Sequence, residues 1–333
     1  MSEKVKLASI GTGRWAGELA DAVARSGQAE VVSGWARRSE GREAFADKFG
    51  CRPASSLDEL LSDPEVQGVI ITTSHQSHRE MIEQAAAAGK HVFVDKPFTN
   101  TVEDGVAAIV AAREAGVLLQ VGHQRRRTPA KRRIKAMLDA GELGDVETVA
   151  TNQSIPNGFK MPDEAWRWDP AQSPLGSMTS LGVHKIDTIN YLVGPVRSVF
   201  CFTRPGRVKP IDEATVLAME LDSGALATLT TSFFTPVMNN TAVFGTDGAA
   251  FSSEGGAVLK LMGRTDPAPV EVELEQIDPL VDQMTAFAAA VRGEAPVEVD
   301  GEAGLAVIAV MEAAVESAAT GRAVEVASVM SKL

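Results

Sequence analysis

Cysteine is scarce in this chain, because only Cys51 and Cys201 occur among 333 residues, and they lie far apart. Two cysteines cannot form a disulfide framework or a zinc-ligand set, so a reduced, cytoplasmic protein is expected. His75 and His78 stand near each other, but neither cysteine nor a cluster of carboxylates accompanies them. The sequence therefore predicts no metal site.

Aromatic residues, positive charge and long apolar runs are also in short supply. Aromatic residues make up 5% of the chain, and the formal net charge is −12 at pH 7. Few rings are available to stack on bases, and the negative charge opposes binding to nucleic acid or an anionic membrane. No apolar run approaches the roughly 18 residues of a membrane span, and the start, MSEKVKLASIGTG, indicates a strand and not a signal peptide. We expect a small-molecule partner, no nucleic acid and no membrane.

The length of the chain favours two domains, because 333 residues exceed one typical hydrophobic core. In residues 1–123, short apolar runs alternate with helical stretches, which predicts an α/β domain with a doubly wound parallel sheet. In residues 124–333, most segments from residue 196 onward alternate apolar and polar positions, as in an antiparallel sheet with one covered face. Helices are predicted at 280–291 and 302–319, so the second domain is expected to be α+β.

The first strand is followed by the pattern G-x-G-x-x-A, from Gly11 to Ala16, and then by a helix. Gly11 permits a tight turn, Gly13 lets the backbone approach a pyrophosphate, and Ala16 allows close packing of helix on strand. In this context the pattern predicts a dinucleotide-binding turn. The residues assigned to the cofactor here are Gly11, Thr12, Gly13, Arg14 and Trp15.

The end of the second strand bears on the choice of cofactor. An Asp or Glu usually stands about 20 residues past the glycines, to hold the ribose hydroxyls. Here that place holds Ala36, followed by Arg37, Arg38 and Ser39. A missing carboxylate and two guanidiniums suit the 2′-phosphate of NADP, with NAD as the alternative. The competing interpretation is that the two arginines merely begin a solvated loop.

Further polar residues follow the later strands. The apolar run from Val92 to Val94 ends abruptly in Asp95, Lys96 and Pro97, because proline cannot continue a central strand. Ligands of open α/β sheets bind beyond the carboxyl ends of the strands, so Lys96 is a candidate for contact with cofactor and substrate. The other residues assigned to the cofactor are Thr73, Ser74, His75, His78, Asp95, Pro97 and Gln124.

A predicted helix from Met178 to Leu192 carries the candidates of the second domain. Ser180, His184 and Asp187 are spaced i, i+4 and i+7, which places them on one helical face. A His and an Asp on one face form either a satisfied core pair or part of a catalytic site. The remaining substrate-binding candidates are Arg125, at the start of a basic and partly solvated segment, and Asn152, Trp166 and Arg167.

The motifs of the first domain resemble those of the Gfo/Idh/MocA oxidoreductase family. After G-x-G-x-x-A, Thr73 and His78 match the ends of the family's T-P-x-x-x-H loop, with Ser74 in place of proline. Asp95-Lys96-Pro97 matches its Glu-Lys-Pro. The resemblance implies an N-terminal Rossmann domain and a C-terminal domain with a large, mostly antiparallel, open-faced sheet. Such sheets commonly pair, so a homodimer or homotetramer is expected.

The resemblance continues in the second domain, where the family pattern is G-G-x-x-x-D-x-G-x-H-x-x-D. Gly176, Gly182, His184 and Asp187 are in place, whereas Ser180 stands where many members carry Asp. The resemblance implies hydride transfer between NADP(H) or NAD(H) and a secondary alcohol or ketone of a sugar, polyol or related cyclic compound. A neutral polyhydroxylated ring is the expected substrate.

The proton chemistry of such a reaction needs a base and a cation at the reacting oxygen. His184 has a suitable ordinary pKa for the base, Lys96 would bond the same oxygen, and Asp187 would orient one of them. Alternatives are the dehydrogenation of a carboxylated cyclic cis-diol held by the arginines at 125–127, and imine or enone reduction. A catalytically silent dinucleotide-binding sensor is a further alternative, which Ser180 supports.

Overall fold

The computed structural model describes residues 3–331 and divides the chain into two compact units. The first unit contains the described residues up to Gln124 together with Asp278–Leu305. The second contains Arg125–Ile277 together with the described residues from Ala306 onward. The predicted boundary after residue 123 lies close to the first crossing, but the chain returns to the first unit at residue 278 and leaves it again after residue 305.

The first unit contains a six-stranded sheet, with all strands parallel, in the order β3-β2-β1-β4-β5-β6. Its elements as far as residue 122 are β1 (Val5–Ile10), α1 (Arg14–Ser26), β2 (Ala29–Trp35), α2 (Ser39–Phe49), β3 (Arg52–Pro53), α3 (Leu57–Ser62), β4 (Gly68–Ile71), α4 (His78–Ala87), β5 (His91–Asp95), α5 (Val102–Glu114) and β6 (Leu119–Gly122). The predicted doubly wound parallel sheet is confirmed. Residues 69–71 and 92–94 of its central strands are at most 1% exposed, as their apolar sequences indicate.

The second unit contains a nine-stranded sheet in the order β14-β13-β12-β11-β7-β10-β9-β8-β15. After β6 the chain forms α6 (Pro129–Asp139), β7 (Val146–Ser154), α7 (Val183–Leu192), β8 (Val196–Arg204), β9 (Ala214–Leu221), β10 (Leu226–Ser232), β11 (Met238–Gly245), β12 (Gly248–Ser253), β13 (Val258–Gly263), β14 (Val270–Val272), α8 (Pro279–Val291), α9 (Gly301–Thr320), β15 (Val324–Glu325) and α10 (Val326–Met330). Strands β7 and β10 pair in parallel, and the other pairs are antiparallel. The prediction of a mostly antiparallel sheet is confirmed.

The two faces of this sheet differ in burial. Helix α6 contacts β12, and α7 contacts β7 and β10, so helices cover one face. Leu217 and Leu229 lie on the covered face and are fully buried. Phe202 and Leu226 lie on the opposite face, with 63% and 56% of their surfaces exposed. The alternation in the sequence thus corresponds to one covered and one open face.

Helix α8 packs in the first unit, against α1. The ring centroid of Phe287 lies 5.7 Å from that of Phe93 on β5, and Met284 and Ala288 join the same buried cluster with Leu19. The prediction that residues 124–333 form one domain does not fit this packing, because the apolar face of α8 completes the core of the first unit. Sequence periodicity gives the position of α8 but not the surface that covers it.

Helix α9 qualifies as a membrane span by length and composition alone. Of its most apolar 18-residue window, 56% is buried inside the protein, and buried core helices meet the same criteria. The sequence interpretation that no apolar run approaches a span is corrected in this respect. Three glutamates interrupt the apolar sequence of α9, at positions 302, 312 and 316.

Candidate active site

A cavity of about 780 Å³ in the first unit lies where β1, β2 and β4 end. It is lined by Gly11, Thr12, Gly13, Trp35, Ala36, Arg37, Arg38, Glu40, Gly41, Thr73, Ser74, Ser77, Glu80 and Met81. The carboxyl edge of a parallel sheet is the usual place for a ligand in this fold. The loops after β1 and β2 therefore bring together most of the residues that the sequence assigns to the cofactor at positions 11–15 and 37–39.

The glycine turn after β1 fits a pyrophosphate. Gly11 has φ +110°, and a Cβ at this position would lie 2.5 Å from Thr72 Oγ1, so only glycine is accommodated. Gly13 is the N-cap of α1, and no side chain caps this helix. A Cβ on Gly13 would meet nothing within 4 Å, which leaves open space before the helix N-terminus. The free N–H groups of α1 are therefore available to an anion.

The next two residues of the turn do not line the cavity. The Arg14 side chain is 90% exposed and lies 3.5 Å from Glu18. Trp15 packs on the hydrophobic core of the first unit, beside Val31 and Leu280. The sequence prediction assigns both residues to the cofactor, and in this arrangement their backbone N–H groups at the start of α1 are suited to that contact. Helix geometry explains this, since residues at the first turn point away from the axis in different directions.

Arg37 and Arg38 line the cavity with exposed side chains, directly after β2. This is the position at which a ribose-binding residue is expected in a dinucleotide-binding fold. Ser39 begins α2 and is not among the lining residues. The acidic residues Glu40 and Glu80 also line the cavity, so its charge is mixed.

His78 holds two loops together and does not line the cavity. Its ring is fully buried, with Nδ1 3.1 Å from the carbonyl oxygens of both Pro97 and Phe98 and Nε2 3.3 Å from that of Thr73. Burial lowers its pKa, which favours the neutral imidazole. The predicted cofactor contact of His78 is thus corrected to a structural role. The ring of half-buried His75 lies 5.7 Å away.

Lys96 follows the last residue of β5 and is half-buried, as expected for a group at the carboxyl edge of the sheet. Burial raises the pKa of the adjacent Asp95 carboxyl, an effect that Lys96 and His78 oppose. Gln124 is 7% exposed, and its Oε1 has no hydrogen-bond partner within residues 3–331. An amide in this state is suited to contact with a ligand.

In the second unit, the helix that carries His184 and Asp187 begins with a π-helical turn, Met178–Gly182. The α-helical spacing of the prediction therefore applies from His184 to Asp187 but not from Ser180 to His184, because a π turn has a longer period. His184 is 5% exposed and Asp187 is fully buried. Short π-helical turns are frequent at functional sites, but their presence cannot be read from residue spacing.

Asp187 is bound by Arg126, one of the arginines at 125–127 to which the sequence gives a carboxylated substrate as the alternative partner. Arg126 donates from Nε to Oδ2 of Asp187 at 3.1 Å and from Nη2 to Oδ1. The two side chains are 8% and 0% exposed, so this is a buried, two-point ion pair. The Arg126 guanidinium also lies 5.0 Å from the ring centroid of Tyr191. These contacts fix α7 to the segment that precedes α6.

The structure places Asn152 away from these groups. In β7, Val149, Thr151 and Gln153 are buried beneath the helices, so Asn152 belongs to the opposite, open face together with Ala150. The predicted substrate contact of Asn152 does not fit this register, because neighbouring residues of a strand point to opposite faces. Gln153 is the residue of this pair that faces the helices.

Trp166 and Arg167 lie together in a short 3₁₀ helix, Trp166–Trp168. The Arg167 guanidinium stacks 4.4 Å from the Trp166 ring centroid. Burial lowers the pKa of Arg167. Trp168 is 6% exposed and packs with Leu181, as expected for a tryptophan beneath the helix. Within residues 3–331, no group of three or more His, Cys, Asp and Glu is arranged to hold a metal ion.

Comparison with known proteins decides the family. Residues 5–123 match the oxidoreductase family with an NAD-binding Rossmann fold, and residues 135–326 match its C-terminal alpha/beta domain. The chain belongs to the Gfo/Idh/MocA family. It is therefore an NAD(P)-dependent oxidoreductase, as the motifs predict.

Several known proteins are similar to this chain over most of its length. The 1,5-anhydro-D-fructose reductase of Ensifer adhaerens is 28% identical, with 95% of this chain and 97% of that protein covered. The D-xylose 1-dehydrogenase (NADP(+)) 2 of Haloferax volcanii is 33% identical over 87% and 90% of the two chains. A solved oxidoreductase from Desulfitobacterium hafniense is 31% identical, has a TM-score of 0.95, and covers 99% of this chain and 100% of its own.

Proposed function

We propose that this Gfo/Idh/MocA enzyme transfers a hydride between NADP(H) and a secondary alcohol, or the matching ketone, of a sugar, polyol or related cyclic compound. The observation that carries the proposal is the placement of half-buried Lys96 at the carboxyl edge of a sheet whose glycine turn accommodates a pyrophosphate. The names of the relatives, a sugar-derivative reductase and a sugar dehydrogenase, support the substrate class.

The protein residues would hold the cofactor and handle the proton. The turn at Gly11 and Gly13 would hold the pyrophosphate, and Arg37 with Arg38 the 2′-phosphate. When bound, the nicotinamide accepts or supplies the hydride. His184 would remove the hydroxyl proton in oxidation and return it in reduction, while Lys96 donates a hydrogen bond to the reacting oxygen.

Asp187 would act as a positioning residue. Its carboxylate is held by Arg126, and it lies one helical turn after His184 on α7. Fixing this turn of the helix would fix the direction of the His184 ring. Ser180 cannot serve as an acid or base at ordinary pH, and it would contribute a hydrogen bond only.

The proposal is tested by turnover. Purified protein is mixed with NADP+ or NAD+ and a panel of aldoses, polyols and cyclic diols, and formation of reduced cofactor is followed by absorbance. We expect turnover with at least one sugar or polyol. Tight cofactor binding without turnover of any compound in either direction would instead favour the sensor interpretation.

NADP is expected to bind more tightly than NAD. A charge-assisted bond between guanidinium and phosphate contributes about 1.5–3 kcal/mol, or roughly ten- to hundredfold in affinity. In an Arg37→Ala/Arg38→Ala variant, the affinity for NADP should fall by this factor while the affinity for NAD stays nearly constant. Titration of both cofactors into both proteins measures this. Equal affinity of the unaltered enzyme for the two cofactors would refute the preference.

We also propose that the open face of the nine-stranded sheet joins copies of this chain into a homodimer or homotetramer. Phe202, Leu226 and Val216 are exposed on this face, and an apolar surface of this kind favours self-association. A Phe202→Glu variant should lower the molar mass measured by analytical ultracentrifugation. Val208→Glu, at an exposed position outside the strands, is the control and should not lower it.

A cytoplasmic location is proposed as well, consistent with the free thiols of both cysteines.

A further inference from the structure

Three basic side chains of the second unit converge beside the helix-covered face of its sheet. Lys131 belongs to α6, Lys185 belongs to α7, and Arg125 precedes α6 in the sequence. Lys131 and Lys185 are each only 2% exposed, and Arg125 is partly buried. Lysine side chains are almost never buried to this extent unless they are paired. The group therefore requires an explanation.

The two ammonium groups sit next to each other. Lys131 Nζ donates to Ser252 Oγ at 2.8 Å, and Lys185 Nζ donates to Thr241 Oγ1 at 3.1 Å and to the carbonyl oxygen of Asn240 at 2.7 Å. Thr241 and Ser252 are direct partners on adjacent strands β11 and β12. Side chains of directly paired residues are about 5 Å apart at Cβ, so both lysines reach the same part of the sheet.

Arg125 reaches this region from the other side. A Cβ placed on Gly255 would lie 3.4 Å from Arg125 Nη1 and 3.2 Å from Asn239 Nδ2, so both side chains flank one backbone position. Asn239 pairs directly with Gln153 of β7. The Gln153 side chain is 5% exposed, yet its Oε1 has no hydrogen-bond partner within residues 3–331. Arg125 Nε is likewise buried without a partner there.

Within residues 3–331, no carboxylate pairs with these three side chains. Among the described residues, no ion pair includes Arg125, Lys131 or Lys185. Burial lowers the pKa of all three side chains, and burial together with the neighbouring cations brings that of Lys131 to about 7 and that of Lys185 well below its ordinary value. Burying several like charges without a counter-charge is unfavourable, and a bound anion would reverse this by supplying the missing partner.

We propose that Arg125, Lys131 and Lys185 bind a carboxylate or phosphate group carried by the substrate. This inference rests on the proposed function, and it replaces the expected neutral ring with an anionic sugar derivative. Lys185 directly follows His184 on α7. An anion bound here would therefore anchor the substrate to the helix that carries the proposed acid–base group.

Matched substrates test the inference. Each neutral sugar is compared with its sugar acid and its sugar phosphate, and kcat/KM is measured for all three. Loss of one charge-assisted bond corresponds to about ten- to hundredfold in affinity. The ratio of kcat/KM for the preferred anionic compound to that for the neutral one should exceed about ten, and should fall by that factor in Lys131→Met and Lys185→Met. The control Lys135→Met removes a partly buried ammonium one turn further along α6, and it should leave this ratio of kcat/KM values unchanged.

Binding of inorganic phosphate gives a second readout that does not depend on turnover. With saturating NADP+ present to occupy the cofactor cavity, phosphate should raise the melting temperature of the unaltered protein, and this rise should be lost in Lys185→Met but not in Lys135→Met. Calorimetry near pH 8 should also show proton uptake with phosphate, because a bound anion raises the lowered pKa of both lysines, and Lys131→Met should take up fewer protons.

The two proposals fail in different ways. Equal kcat/KM for neutral and anionic sugars, together with no phosphate effect, would overturn the anion site and leave the oxidoreductase function standing. A phosphate effect that depends on Lys185, without turnover of any sugar, would support the anion site while the proposed substrate class fails.

Discussion

Replacement of Lys96 or His184 by alanine should lower kcat by about 10²–10⁴ while binding of NADP largely persists. Lys96 is placed to stabilise negative charge on the reacting oxygen, and His184 to exchange its proton. Both effects arise in the transition state, so they should reduce kcat more than they raise KM. Steady-state kinetics with a substrate identified from the panel, and fluorescence titration with NADPH, measure the two quantities.

The matched control for Lys96 is Lys160→Ala, which removes an exposed ammonium in the second unit and should leave kcat within about twofold, as for most surface substitutions. Circular dichroism and cofactor titration establish that each variant is folded. A folded, cofactor-binding His184→Ala protein with normal turnover would eliminate His184 as the acid–base group. Retained activity in Lys96→Ala would do the same for the proposed role of Lys96.

Breaking the ion pair between Arg126 and Asp187 should destabilise the second unit by about 3–5 kcal/mol. Arg126→Leu removes two charge-assisted bonds from a carboxylate that is 0% exposed, and Asp187→Leu removes them from a guanidinium that is 8% exposed. A buried charge that loses its partner retains the full cost of desolvation. Urea unfolding, monitored by circular dichroism for each variant, measures the loss of free energy.

A surface pair formed by a residue of α6 and one just after its end provides the control. Arg133 and Glu142 are 3.4 Å apart with side chains 47% and 44% exposed, so Arg133→Leu should cost less than about 1 kcal/mol. The double variant Arg126→Met/Asp187→Leu removes both charges and should recover much of the stability lost in the single variants. Single-variant losses no larger than that of Arg133→Leu would show that the buried pair contributes little.

The sequence predicts the parts of this fold that depend on local pattern. Apolar runs such as residues 92–94 are buried strands because both of their faces are covered, and the glycine turn is recognisable because Gly11 meets a steric requirement of its own backbone. The packing partner of α8 is different, since its apolar face fits either unit. Only the three-dimensional arrangement shows that Phe287 meets Phe93.

The same distinction separates the predicted and unpredicted parts of the candidate site. Lys96 is recognised because a proline two positions after Asp95 marks the end of a strand. The Arg126 pair and the lysine contacts join residues 55 to 121 positions apart, and no local spacing encodes them. Asn152 illustrates a further limit. Neighbouring residues of a strand point to opposite faces, so a one-residue error in the predicted orientation of β7 assigns to Asn152 the face that Gln153 occupies.

The three crossings of the chain between the two units have a consequence for dissection of the protein. A fragment ending at residue 124 would lack Met284, Phe287 and Ala288, which belong to its own hydrophobic core. Helix α9 supplies Gly301–Leu305 to the first unit and its residues from Ala306 onward to the second. Ending the chain anywhere within α9 therefore leaves at least one unit incomplete. Truncation at a single point therefore yields incomplete folds, and exchange of a whole unit with a relative would require three coordinated junctions.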